Sequence, residues 1–253
     1  MSSNKKVIIH YLFHSGFTVE YGDYFLVFDY YPPPDGTLIP EFSEKDIADK
    51  VTGYSYPFVF ISHSHHDHFS PEVFDWKKYN PSLTYIMSDD VQQADYDNYK
   101  HLGVDYVYMS PYDNVEKNGL AVSTFGSTDI GVSFLLTVGK LQIFHAGDLN
   151  WWHWADESTK QELADEERKF KAEAARIEGE RIDILFFPVD PRLGEHYFIG
   201  GAYMLETLQP RLFVPMHFGE DNLITHRFAD RMRSTGVPVA EITHKGQKFV
   251  YDL

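Results

Sequence analysis

The stretch Phe58-Val59-Phe60-Ile61-Ser62-His63-Ser64-His65-His66-Asp67-His68 decides how this chain is read. Its first four residues are apolar and β-prone, as in a fully buried strand. From His63 to His68, four of six residues are His and a fifth is Asp. Ser70-Pro71-Glu72-Val73-Phe74 follows. Ser at the N-cap, Pro at the first helical position and Glu in the first turn predict a helix there. The cluster therefore sits between the end of a buried strand and the start of a helix. Side chains at i and i+2 of an extended segment project to one side, so His63 and His65 can converge on one cation. Asp67 and His68 come where the chain turns and can face a second. Imidazole and carboxylate without thiolate suit zinc, iron, manganese or nickel. The bland alternative is a His-rich surface loop, and the strand-to-helix context argues against it.

Two more strand ends carry ligand-type residues. Phe144-His145-Ala146-Gly147-Asp148 follows one apolar run and Pro215-Met216-His217 another. Alone, Asp148 would read as a turn residue and His217 as a buried structural His. Three such strand ends strengthen one another. Further strands are expected at Val7–His14, Gly16–Glu20, Tyr24–Asp29, Leu83–Met87, Tyr106–Met109, Leu120–Thr124, Val132–Val138, Leu141–Phe144, Ile182–Phe187, Leu212–Val214 and Lys248–Tyr251. Tyr21-Gly22-Asp23 and Gly139-Lys140 read as tight turns. Helices are expected at Asp89–Leu102, Asp156–Gly179, Gly200–Leu208 and Thr225–Thr235. With no linker or repeat in view, residues 1–253 read as one α/β domain of two sheets with helices outside.

Composition narrows the function classes. At 253 residues, with 43% hydrophobic and 24% charged residues, the chain can bury a real core and is not disordered. The absence of Cys excludes disulfide frameworks, thiolate zinc sites, cysteine nucleophiles and iron–sulfur clusters. A net charge of -16 repels polyanions, which disfavours nucleic acid as a partner. No segment has the apolar length of a membrane helix, and Met1–Phe17 lacks the pattern of a signal peptide. The expectation is a cytoplasmic protein acting on a small molecule, with no membrane partner and with homo-oligomer formation left open.

These residues resemble the metallo-β-lactamase-fold hydrolases, and within them the branch of L-ascorbate-6-phosphate lactonase-like proteins. The resemblance is carried by His63-Ser64-His65-His66-Asp67-His68, by His-Ala-Gly-Asp ending at Asp148, and by His217 after Pro215. His14-Ser15-Gly16-Phe17 and the strand ending at Asp29 match the opening of that branch. The resemblance implies a four-layer αββα sandwich with metal at the rim between the sheets. It implies His63, His65, Asp67, His68, Asp148 and His217 as ligands of one or two divalent ions, zinc first, manganese or iron as alternatives. Asp148 would bridge the two ions. One departure stands out. The family usually carries another His before the bridging Asp, yet Asn114–Phe144 holds none. Thr128, Asp129 or water would fill that place, with Glu195 and His196 as remoter substitutes.

The reaction class that fits is hydrolysis of a small ester, lactone or phosphoester by a metal-activated water. Asp67 is expected to orient the water and accept its proton, and His145 to support the site or carry protons. Trp151, Trp152 and Trp154 would wall a substrate pocket or simply fill the core. Arg192 would hold an anionic substrate group or pair with Asp190. The alternatives are a non-catalytic or weakly active metal-binding protein of the same fold, and a phosphodiesterase or nuclease.

Overall fold

The computed structural model describes residues 6–91 and 106–252. The chain divides into two compact units, Met1–Met109 with His244–Leu253, and Ser110–Thr243. Each unit is built on one sheet.

Among the described residues the first unit has seven strands: β1 (Lys6–Phe13), β2 (Gly16–Tyr21), β3 (Tyr24–Phe28), β4 (Tyr56–Ile61), β5 (Thr84–Ser88), β6 (Tyr106–Met109) and β13 (Lys248–Asp252), in the order β13-β1-β2-β3-β4-β5-β6. β13, β1, β2 and β3 pair antiparallel. From β3 to β6 the pairing is parallel. The parallel register Phe28↔Phe60 places the ends of β3 and β4 side by side. Asp29 and the His-rich motif therefore leave the sheet at the same edge. Pro57–Ile61 are all buried, which is why this stretch reads as a continuous apolar run. Helix α1 (Glu44–Gly53) packs Ile47 and Val51 into a cluster with Val59, Ile61, Val73 and Trp76. A capping box of Ser43 and Asp46 starts α1. The helix expected after Ser70 is instead a 3₁₀ segment, Pro71–Lys78, and the Ser70 side chain makes no capping bond. Pro71 sets the first turn, and the short run tightens to bury Val73, Phe74 and Trp76.

The second unit has six strands: β7 (Asn114–Lys117), β8 (Leu120–Phe125), β9 (Ser133–Val138), β10 (Leu141–His145), β11 (Ile184–Pro188) and β12 (Leu212–Met216), in the order β12-β11-β10-β9-β8-β7. β7 to β10 are antiparallel and β10 to β12 parallel. Three parallel strands thus end on one side, before Asp148, Asp190 and His217. Its helices are α2 (Lys160–Ile177), α3 (Ile199–Leu208) and α4 (Leu223–Met232). α2 starts four residues later than expected, where Thr159 and Glu162 form a capping box. A Cβ on Gly200 would sit 2.1 Å from Asn150 Oδ1, so α3 packs directly on the loop after Asp148. The expected helix Asp89–Leu102 lies outside the described residues beyond Val91; Asp89–Val91 are helical. Among the described residues, no helix is long and apolar enough to cross a membrane.

Candidate functional site

In the first unit, Asp29 organises the motif. Its buried carboxylate accepts the Ser62 N–H (2.7 Å) and the Ser62 hydroxyl (2.6 Å), and His68 Nδ1 donates to it (2.8 Å). A carboxylate only accepts, so it fixes the proton on Nδ1 of His68 and leaves Nε2 with a lone pair that could bind a cation. Ser62 Oγ gives its proton to Asp29 and takes one from His63 Nδ1 (2.9 Å). That in turn leaves Nε2 of His63 for ligation. His63 Nε2 lies 3.1 Å from His65 Nδ1, with the two rings nearly perpendicular. Two ligand nitrogens on one tetrahedral ion, each about 2.0–2.1 Å from it, would be about 3.3 Å apart. The structure thus brings the nitrogens of His63 and His65 to a separation that one ion could span.

His68 and Phe69 bond back through their N–H groups to His65 O, closing the turn that places Asp67 and His68. Asp67 Oδ2 lies 3.4 Å from His14 Nε2. One donor atom each of His14, Asp67 and His68 lies within 4.8 Å of the others. In the sequence His14 stands out only as part of an opening motif, and the structure adds it to the donor set. The signal was its place in the two-residue β1–β2 turn. His14 and Asp29 both hold left-handed backbone, with φ of 54° and 39°.

In the second unit, His217 is the counterpart of His68. His217 Nδ1 donates to Asp190 Oδ2 (3.0 Å), and its Nε2 lies 3.2 Å from Asp148 Oδ1. His217 and Asp148 are buried, and φ at His217 is 64°. Asp190 is fully enclosed, and burial alone would raise its carboxyl. Hydrogen bonds from His217 and Arg192 outweigh that and bring it down to about 2. Arg192 is therefore an ion pair, with Nε 2.9 Å and Nη2 2.5 Å from Asp190 Oδ2. The blander of its two readings is the one observed.

Gly147, at φ 53°, bends the chain into Asp148, and its N–H donates to Nδ1 of buried His145 (3.3 Å). Trp152 lies edge-on to His217, with ring centroids 5.4 Å apart, and its Nε1 donates to Asp148 O (3.0 Å). Trp154 stacks on Trp152. Where the His is missing, the Thr128 hydroxyl bonds the backbone of Asn150 as donor (2.6 Å) and acceptor (3.0 Å). Thr128 is thus committed to the loop. Asp129 instead brings a carboxylate oxygen within 4.8 Å of one on Asp148.

No family model matches the chain. Its fold is nevertheless shared by solved structures. Igni18, a metallo hydrolase from the archaeon Ignicoccus hospitalis, matches at TM-score 0.66 and 15% identity, over 98% of this chain and 99% of that one. The metallo-β-lactamase-fold protein YhfI from Bacillus subtilis matches at TM-score 0.61 and 12% identity, over 98% and 100%. A diphosphatase of the PhnP family matches at TM-score 0.60 and 12% identity, over 98% of both chains. The fold is the metallo-β-lactamase fold expected from the motif, an α/β architecture with two large sheets.

Proposed function

We propose that this protein is a metal-dependent hydrolase of a small ester, lactone or phosphoester, with residues 1–253 acting as one functional domain. The ligands are His63, His65, Asp67, His68, Asp148 and His217, for one or two divalent ions, zinc before manganese or iron. One observation carries the reading: His68 and His217 each have Nδ1 held by an enclosed carboxylate, Asp29 and Asp190. That arrangement orients metal-ligating imidazoles and makes them more basic. It occurs in both units, on a His that follows a strand end.

The bound ion would supply Lewis-acid polarisation and a water of lowered pKa. Asp67 would orient the attacking water and accept its proton; its side chain is 28% exposed. His145 holds the Gly147–Asp148 turn through its Nδ1. Trp152 shields His217 from bulk water. Asp129 takes the place of the missing His. The -16 charge supports a small-molecule substrate over nucleic acid. The His14-Ser15-Gly16-Phe17 opening supports the L-ascorbate-6-phosphate lactonase-like branch, and the diphosphatase neighbour keeps phosphoesters in view. A cytoplasmic location accords with the Cys-free sequence.

The test is a panel of lactones, carboxylic esters and phosphodiesters, run on chelated protein and after adding back zinc, manganese or iron. Turnover restored by metal supports the proposal. Full turnover in the chelated protein, with metal absent by elemental analysis, contradicts it. Metal bound without turnover on any member would favour the metal-binding alternative, to which the missing His gives its support.

A further inference from the structure

The second unit contains a cavity of about 250 Å³ that the proposed hydrolysis does not use. Its lining includes His153, His196, Arg192, Asp156, Glu157 and Glu195. The two imidazoles face each other with centroids 4.2 Å apart and planes inclined by 52°. This is the spacing of the motif histidines themselves: 4.1 Å for His63 and His68, 4.7 Å for His63 and His65.

The surroundings select a cation over an anion. Arg192 has its guanidinium committed to Asp190, so it offers little charge to the cavity. Three exposed carboxylates, Asp156, Glu157 and Glu195, remain on the lining. His153 is held neutral: burial, then the neighbouring His196, lowers its pKa, with Glu167 opposing. Its Nδ1 is shielded from solvent and has no hydrogen-bond partner among the described residues. A pair of imidazoles amid carboxylates offers donors for a borderline transition ion, not for magnesium or calcium.

We propose that His153 and His196 form a second site, separate from the motif donors, for a divalent ion of the zinc, nickel and copper class. The two rings supply the nitrogen ligands; the carboxylates raise the local cation concentration and, with water, complete the shell. The proposal stands apart from the hydrolase reading, since neither residue belongs to the proposed catalytic ligands.

The experiment compares the full-length protein with its His153→Gln/His196→Gln variant. Both are saturated with zinc, freed of loose ion by gel filtration and assayed by elemental analysis. The wild type is expected to hold one equivalent more than the variant. In parallel, wild-type crystals soaked in zinc chloride are expected to show anomalous scattering between the two rings. That measurement needs no variant to fold. Equal stoichiometry in two folded proteins, or no anomalous signal between the rings at full occupancy of the motif site, would overturn the proposal.

Discussion

Asp29 and Asp190 carry no ligation role in this account, yet the donors depend on them. Each fixes the tautomer and direction of one imidazole. Asp190→Asn should weaken metal binding about 10–100-fold, read by competition with a coloured chelator. Unchanged affinity in that variant would remove Asp190 from the site. Left-handed backbone at His14, Asp29 and His217 points the same way. Such non-glycine conformations cost about 1–3 kcal/mol each and persist where the surroundings enforce them. At this scale the sequence shows the candidate donors plainly. The spacing of His63 and His65, and the strand-end places of Asp148 and His217, rest on local pattern. The role of Asp29 does not, because it depends on β3 pairing with a strand about 30 residues later. Asp190 is hidden for the same reason: it meets His217 only because β11 and β12 run parallel.

At the scale of elements, short strands and turns place the donors. Gly16 follows the turn that holds His14, and a Cβ there would lie 2.9 Å from Phe13 O and 3.1 Å from Asp29 O. Both contacts are backbone, so Gly16→Ala should destabilise the protein by about 1–3 kcal/mol in thermal melts. A fully stable Gly16→Ala would mean that this hairpin is looser than drawn. By contrast, Thr159→Ala removes only the cap of α2. It should cost about 1 kcal/mol and leave metal content unchanged. Elements with strong apolar runs are legible in the sequence, and most expected strands lie within a residue or two of those found. Helix α1 is not foreseen, although Ser43 and Asp46 carry its capping signal, because the proline-rich stretch before it reads as one long loop. β7 is missed because it is four residues long and mostly polar, with no apolar periodicity to detect.

Across the whole molecule, the buried polar groups set the response to pH. His10 on β1 is fully enclosed; burial, then the charges of Lys248 and Lys50, lowers its pKa to about 4. The unfolded chain takes up this proton near pH 6.5 and the folded one only near 4, so between these values the unfolded state binds more protons. Stability should therefore fall as pH drops from 6.5 to 4, by about 3 kcal/mol from this residue. His10→Gln should flatten that part of the profile in denaturant titrations, and an unchanged slope would assign it elsewhere.

The proposed function requires His68 and Asp148 to be metal ligands. Metal stoichiometry of His68→Ala and Asp148→Ala, each made in the His153→Gln/His196→Gln background, tests it most directly. The parent should hold at least one bound ion and both variants should lose it, with folding checked by circular dichroism. Full stoichiometry in both folded variants would contradict it.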